Sequence, residues 1–124
     1  MIGYVTLGTN DLDAAARFYD ELFATIGAAR VMEEDTFIAW GKSATSPGMS
    51  VTKPFNGEPA TVGNGVMVAI ALSSTDQVEA FHAKALELGG TDEGAVGLRG
   101  DVFYAGYFRD LDGNKLNAFS IVQP

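Results

Sequence analysis

No cysteine occurs in the 124 residues, so this chain can build neither a disulfide nor a thiolate metal site or nucleophile. Basic residues are scarce: eight Lys and Arg stand against sixteen Asp and Glu, giving a net charge of −8 and a pI near 4.4. That balance argues against nucleic acid or an anionic membrane as partner, since both need a cationic face. No long apolar run is present, and no basic leader precedes the strand that begins at Ile2. Neither a membrane span nor a signal peptide is therefore expected, and a reducing cytoplasm fits. Histidine is limited to His82.

What the chain does have is a repeat. An offset of 63 positions, the spacing of Val5 and Val68, also sets Asp13 on Asp76, Phe18 on Phe81 and Gly27 on Gly90 without a gap. Leu7 meets Ile70 and Asn10 meets Ser73, so chemistry repeats where letters do not. The shared order is an apolar strand, a polar capping cluster, an amphipathic helix and a closing glycine. A period this long means two fused modules rather than a solenoid. A chain of 124 residues suits one domain, so the modules are expected to share a core.

Residues 2–8 read as a strand, and Asn10 and Asp11 offer N-cap side chains ahead of Leu12. A helix is expected from Leu12 to about Ile26, because Leu12, Ala15, Phe18, Tyr19, Leu22, Phe23 and Ile26 recur at three- and four-residue steps. Three short β-type runs follow, at 30–33, 36–42 and 49–55, completing βαβββ. The polar, glycine-containing stretch 56–64 carries no periodicity and reads as a linker between module one (1–55) and module two (65–124). The second module repeats the plan, with a strand at 66–72, Ser73 and Ser74 as caps, and a helix from Thr75 to Leu88. Next come a short strand and an irregular loop through Gly94–Gly100, a strand at 102–109, a turn at 110–114 in which Gly113 and Asn114 supply positive φ, and a last strand at 115–122.

Strand alternation assigns faces. Val5, Leu7, Val68, Ile70, Leu116 and Ala118 suit the side under the helices, which turns Tyr4, Thr6, Met67, Ala69, Asn117 and Phe119 the other way. Matching Gly48 to Gly113 places Thr52 opposite Asn117 in the repeat. Tyr4, Thr52, Met67 and Asn117 are thus expected to converge on a helix-free cleft. Short modules leave open sheet edges, which are normally paired or covered, and a homodimer is expected.

In its segments 2–7, 10–13, Phe18–Tyr19, 63–65, 81–83, 89–91 and 109–116 the chain resembles the vicinal oxygen chelate superfamily of glyoxalase I, bleomycin-resistance proteins and extradiol dioxygenases. The resemblance spans the whole chain. It implies an α+β fold of two tandem βαβββ modules forming a cupped, mostly antiparallel sheet, with the helices on the outer face and a small-molecule site within, all in one domain (1–124). Metal-binding members place His on the first strand of each half and Glu or Gln on the last. Those places hold Tyr4, Met67, Thr52 and Asn117 here, none of them a usual ligand for zinc, calcium or magnesium. No metal and no other cofactor is therefore expected.

Other residues invite a role. His82 beside Phe81 is read as a surface or helix-packing residue, Asp110 and Asp112 as turn formers, and Gly63–Asn64–Gly65 as a connector, since no helix follows to make a phosphate cradle. Arg99 either holds a carboxylate or phosphate bidentately or forms a rim salt bridge with Asp101 or another acid. Trp40, Tyr104 and Tyr107, with Phe55 and Phe119, supply aromatic surface near the cleft. The expected function is binding of a small, partly apolar or aromatic molecule through Tyr4, Trp40, Thr52, Met67, Arg99, Tyr104, Tyr107 and Asn117. Two alternatives stand beside it: a glyoxalase-like lyase or isomerase, or a dioxygenase-related enzyme, with an atypical or absent metal and Tyr4 as acid; and a structural dimer with a degenerate cleft.

Overall fold

The computed structural model describes residues 1–123, and its contacts divide the chain into two compact units, Met1–Asn64 and Gly65–Pro124. In the first unit the order is β1 (Tyr4–Gly8), α1 (Leu12–Ala24), β2 (Ala29–Glu34), β3 (Phe37–Gly41) and β4 (Gly48–Thr52). The second runs β5 (Val68–Ala71), α2 (Thr75–Glu87), β6 (Thr91–Arg99), β7 (Phe103–Arg109) and β8 (Lys115–Ile121). Each unit is βαβββ, and together they make an α+β fold. The sheet orders are β1-β4-β3-β2 and β5-β8-β7-β6, each with its first strand parallel to its last and the other pairings antiparallel.

Both helices start where the caps allow. Asp11 accepts from the Ala14 amide at 3.0 Å and Ser74 from the Gln77 amide at 3.2 Å, each satisfying one of the donors a helix N-terminus leaves open. Asn10, expected to share the capping, instead exchanges two hydrogen bonds with the backbone of Ala60, tying the connector to the first unit. Beyond the helix ends Gly27 and Gly89 take φ of 76° and 102°. The apolar stripe of α1 covers β2, β3 and β4, and α2 covers β6, β7 and β8. Phe18 and Phe81, equivalent in the repeat, are 3% and 0% exposed, each under its own sheet. No helix among the described residues is long and apolar enough to cross a membrane.

Two local expectations need correction. The stretch 94–100 is not a loop: it lies largely within the nine-residue strand β6, whose register slips between Asp92 and Gly94 and again between Gly94 and Gly97. Bulges of this kind hide a strand from periodicity, because the extra residue breaks the alternation. In the 110–114 turn only Gly113 has positive φ, at 91°. Asn114 contributes its side chain instead, donating from Nδ2 to Asp110 Oδ2 at 3.0 Å while Asp110 Oδ1 accepts from the Asp112 and Asn114 amides. Those carboxylate bonds serve the turn.

On the outer side of unit one, Asp20 accepts from Arg30 Nη2 and Nε at 2.8 and 2.9 Å and from Trp40 Nε1 at 2.9 Å. The Arg30 guanidinium, aided by the indole, holds the Asp20 carboxyl below the usual aspartate value of 3.8 although burial acts the other way. A depressed folded-state pKa contributes stability that is present above the unfolded value and lost as pH falls through the folded one. Acid unfolding followed by the fluorescence of Trp40, the only tryptophan, should therefore steepen below about pH 4. Asp20→Asn should flatten it by about 0.2–1 kcal/mol, the range for a part-exposed pair. An unchanged acid limb in the variant would remove Asp20 from that role.

Candidate functional site

The helix-free face of unit one is set by the β1–β4 register, which pairs Tyr4 with Gly48, Thr6 with Ser50 and Gly8 with Thr52. Tyr4 is exposed and meets Phe37 edge-on at 6.3 Å. The hydroxyls of Thr6 and Ser50 lie 2.7 Å apart, and Ser50 also reaches the Val5 carbonyl. Thr52 donates to the carbonyls of Thr36 and Lys53, so its hydroxyl is occupied by the backbone.

The register also corrects the expected counterpart of Asn117. Asn117 pairs with Ala69, which the repeat equates with Thr6, and Thr6 pairs with Ser50. Ser50, not Thr52, is the position equivalent to Asn117. Matching on glycines slipped the alignment by two residues, which alternation tolerates because both lie on the same face.

In unit two the helix-free face carries Ala69 on β5, Lys115, Asn117 and Phe119 on β8, and Phe103, Ala105, Tyr107 and Arg109 on β7, with Tyr107 directly opposite Asn117. Asn117 is 1% exposed, and its Oδ1 is buried with no hydrogen-bond partner. An unmade bond of this kind costs about 1–3 kcal/mol, so it is uncommon in a sheet that serves only as core. Beside it, Phe103 and Phe119 stack at 5.0 Å. At the other end the Lys115 ammonium lies 5.5 Å and the Arg99 guanidinium 5.4 Å from the Tyr107 ring centroid. Met67 precedes β5 and is exposed.

Arg99 forms no salt bridge with Asp101 or any other acid among the described residues. Its Nη1 donates to the carbonyls of Gly97 and Ala105 at 2.9 and 3.3 Å, and Nη2 to Ala95 at 2.7 Å. The guanidinium folds back along the bulged strand into space that two glycines leave. A Cβ on Gly94 would come within 3.3 Å of Nη2 and 3.2 Å of the Tyr107 ring.

Two aromatic residues sit on the opposite face from the one expected. Trp40 lies under α1, 5.5 Å from Tyr19 and 6.0 Å from Phe23, because its indole N–H is drawn to Asp20. The Tyr104 hydroxyl donates to Glu79 of α2 at 2.7 Å, and that carboxylate raises its pKa. Tyr104 and Tyr107 are an odd number of residues apart on one strand and cannot share a face. Lys115 was missed, although it stands two residues from Asn117 and so had to share its side.

His82 projects from α2 onto the sheet, with Nε2 3.0 Å from the Tyr107 carbonyl and 3.3 Å from Asp92 Oδ1. It is the buried helix-packing histidine of the two readings, on the far side of β7 from the Tyr107 ring. A separate cavity of about 390 Å³ lies between α1 and the β2–β3 hairpin, floored by Leu12, Ala16 and Ile38. Arg30 on its wall is spent on Asp20 and Glu33.

The family model described as Glyoxalase/Bleomycin resistance protein/Dioxygenase superfamily matches residues 1–118. A glyoxalase/bleomycin resistance protein from Albidiferax ferrireducens T118 is 36% identical, with a TM-score of 0.89 over 100% of this chain and 99% of that one. A lactoylglutathione lyase from Agrobacterium tumefaciens is 21% identical, with a TM-score of 0.70 over 97% of this chain and 92% of that one. The fosfomycin resistance protein FosX from Mesorhizobium loti is 14% identical, with a TM-score of 0.70 over 98% and 92%. The last two likenesses are of fold alone. A search of curated protein sequences finds no match.

Proposed function

The chain belongs to the glyoxalase/bleomycin resistance protein/dioxygenase superfamily, and we propose that it is a metal-independent member that binds a small, partly apolar or aromatic molecule on the helix-free face of its second module. The observation that carries this reading is the buried, partnerless Oδ1 of Asn117 between a tyrosine and a stacked phenylalanine pair. Small-molecule sites combine apolar lining with a few unspent polar groups, and this face has both.

The family's metal finds poor support in the residues present. With the register corrected, the four places hold Tyr4, Ser50, Met67 and Asn117. A phenol, a hydroxyl, a thioether and an amide offer no charge to offset a divalent ion. Among the described residues no three His, Cys, Asp or Glu side chains gather as a metal would require.

The test has two parts. Elemental analysis of the purified protein should find far less than one zinc, nickel, iron or manganese per chain, and near one equivalent would overturn metal independence. The double variant Met67→His with Asn117→Glu should raise zinc affinity by roughly tenfold or more, because it supplies two ligand types on one face. For the ligand, an NMR screen of aromatic fragments should move the resonances of Tyr107, Asn117 and Phe119. Shifts confined to residues under α2, or none at all, would sink the binding face.

A further inference from the structure

Resting on that reading, we propose that the ligand of the second module carries an oxyanion, a carboxylate or a phosphate-type group, which docks beside Tyr107 on the free N–H donors of Arg99, with Lys115 adding charge.

The argument starts from charge. Of the eight Lys and Arg side chains in this chain of net −8, Arg30, Lys84 and Arg109 pair with a carboxylate. Lys115 and Arg99 do not: neither is in an ion pair among the described residues, yet both are held within 5.5 Å of one ring centroid. The nearby acid, Glu93, is committed to Arg109 at 2.6 Å, whose guanidinium, aided by the charge of Lys115 beyond ion-pair distance, holds its carboxyl below the usual range. Cation–π attraction of about 0.5–1 kcal/mol each at an exposed site leaves both charges without a counter-ion. An oxyanion docked beside the ring supplies one.

The second element is preorganisation. Three backbone carbonyls fix the Arg99 guanidinium, and Gly94 and Gly97 leave the room in which it lies. Three of its five N–H donors are used by those carbonyls, which leaves two to offer an oxyanion from a side chain already immobilised. Lys115 adds an ammonium that no hydrogen bond of the described residues engages. Next to this charged end, Asn117 and the Phe103–Phe119 stack supply the polar and apolar contacts for the rest of the molecule. The complement is an aromatic or short aliphatic acid, head toward Tyr107 and body toward Phe119.

The proposal is tested by NMR titration of the full-length ¹⁵N-labelled protein with benzoate, phenyl phosphate and, as the neutral counterpart, benzamide. Both anions, or one of them, should saturate shifts of the Arg99 Nε–H and of the Tyr107 and Lys115 amides at least tenfold more tightly than benzamide. The stronger of the two identifies the headgroup. Lys115→Met, which keeps the apolar stem, should weaken the anion about fivefold or more and leave benzamide unchanged. Raising salt from 0.05 to 0.5 M should also weaken only the anions. Benzamide binding as tightly as benzoate at these residues, or an unaltered anion affinity in a folded Lys115→Met protein, would overturn the oxyanion while leaving a small-molecule site in place. Failure of all three probes, together with failure of every fragment at Asn117 and Phe119, would overturn the site itself.

Discussion

Gly90→Ala should cost about 3 kcal/mol, the upper end of what overpacking a tight site does, and lower the melting temperature by roughly 10 °C. An added Cβ at this position would lie 2.7 Å from the Ala85 carbonyl oxygen and 2.8 Å from that of Arg109. Both neighbours are backbone, so neither can rotate aside as a side chain could. One belongs to the last turn of α2 and the other closes β7, which means the clash falls where helix and sheet meet. The Gly90 amide also donates to Ala85 at 2.9 Å, holding the chain at this approach. Gly3→Ala, where nothing lies within 4 Å, is the control and should stay within about 0.5 kcal/mol. Urea unfolding followed by circular dichroism reads both. A loss below about 1 kcal/mol at Gly90 would mean that the helix end yields, and that this glycine is not what brings α2 onto β7.

Gly90 was legible in the sequence as the closing glycine of the repeat, but only as a helix stop. Most of what the sequence conveyed is of that kind. The stripe from Leu12 to Phe23 and the caps at Asp11 and Ser74 place the helices, and alternation along β1 and β8 separates Leu7, Leu116 and Ala118 from Tyr4 and Asn117. These signals are local and periodic, and both units obey them. What escaped is governed by pairing across strands. Gly94 and Gly97 look like loop punctuation, yet in the sheet they are gaps beside Arg99 in a bulged edge strand, and only the partner strand reveals the bulges. Trp40 looks like an aromatic wall for a ligand because nothing local says that Asp20, twenty residues earlier, takes its indole N–H. The Ser50 and Thr52 confusion has the same origin, since a shift of two preserves the face and changes every neighbour. Tyr104 is different: its spacing from Tyr107 already ruled it off the face that carries Tyr107.

The repeat makes one larger prediction, on Phe18 and Phe81. Each is buried against its own sheet, and Phe→Ala at such a site costs about 3–5 kcal/mol by lost burial plus the cavity left behind. Against a total of about 5–15 kcal/mol for a domain, either change is severe. The pair can be told apart because Trp40 belongs to the first unit, packed with Tyr19 and Phe23, whereas helical circular dichroism reports α1 and α2 together. Phe18→Ala should therefore lower the midpoint seen by Trp40 fluorescence directly. Phe81→Ala, in the second unit, tests our proposal that residues 1–124 unfold as one domain: its fluorescence midpoint should fall as far as its dichroism midpoint, because a two-state unit has a single transition for every probe. A Phe81→Ala protein that loses half its helix early while Trp40 unfolds at the wild-type midpoint would show two independent units and sink the single domain. Equal losses in the two variants, within about 1 kcal/mol, would in addition mean that the equivalence of Phe18 and Phe81 extends from sequence to energy.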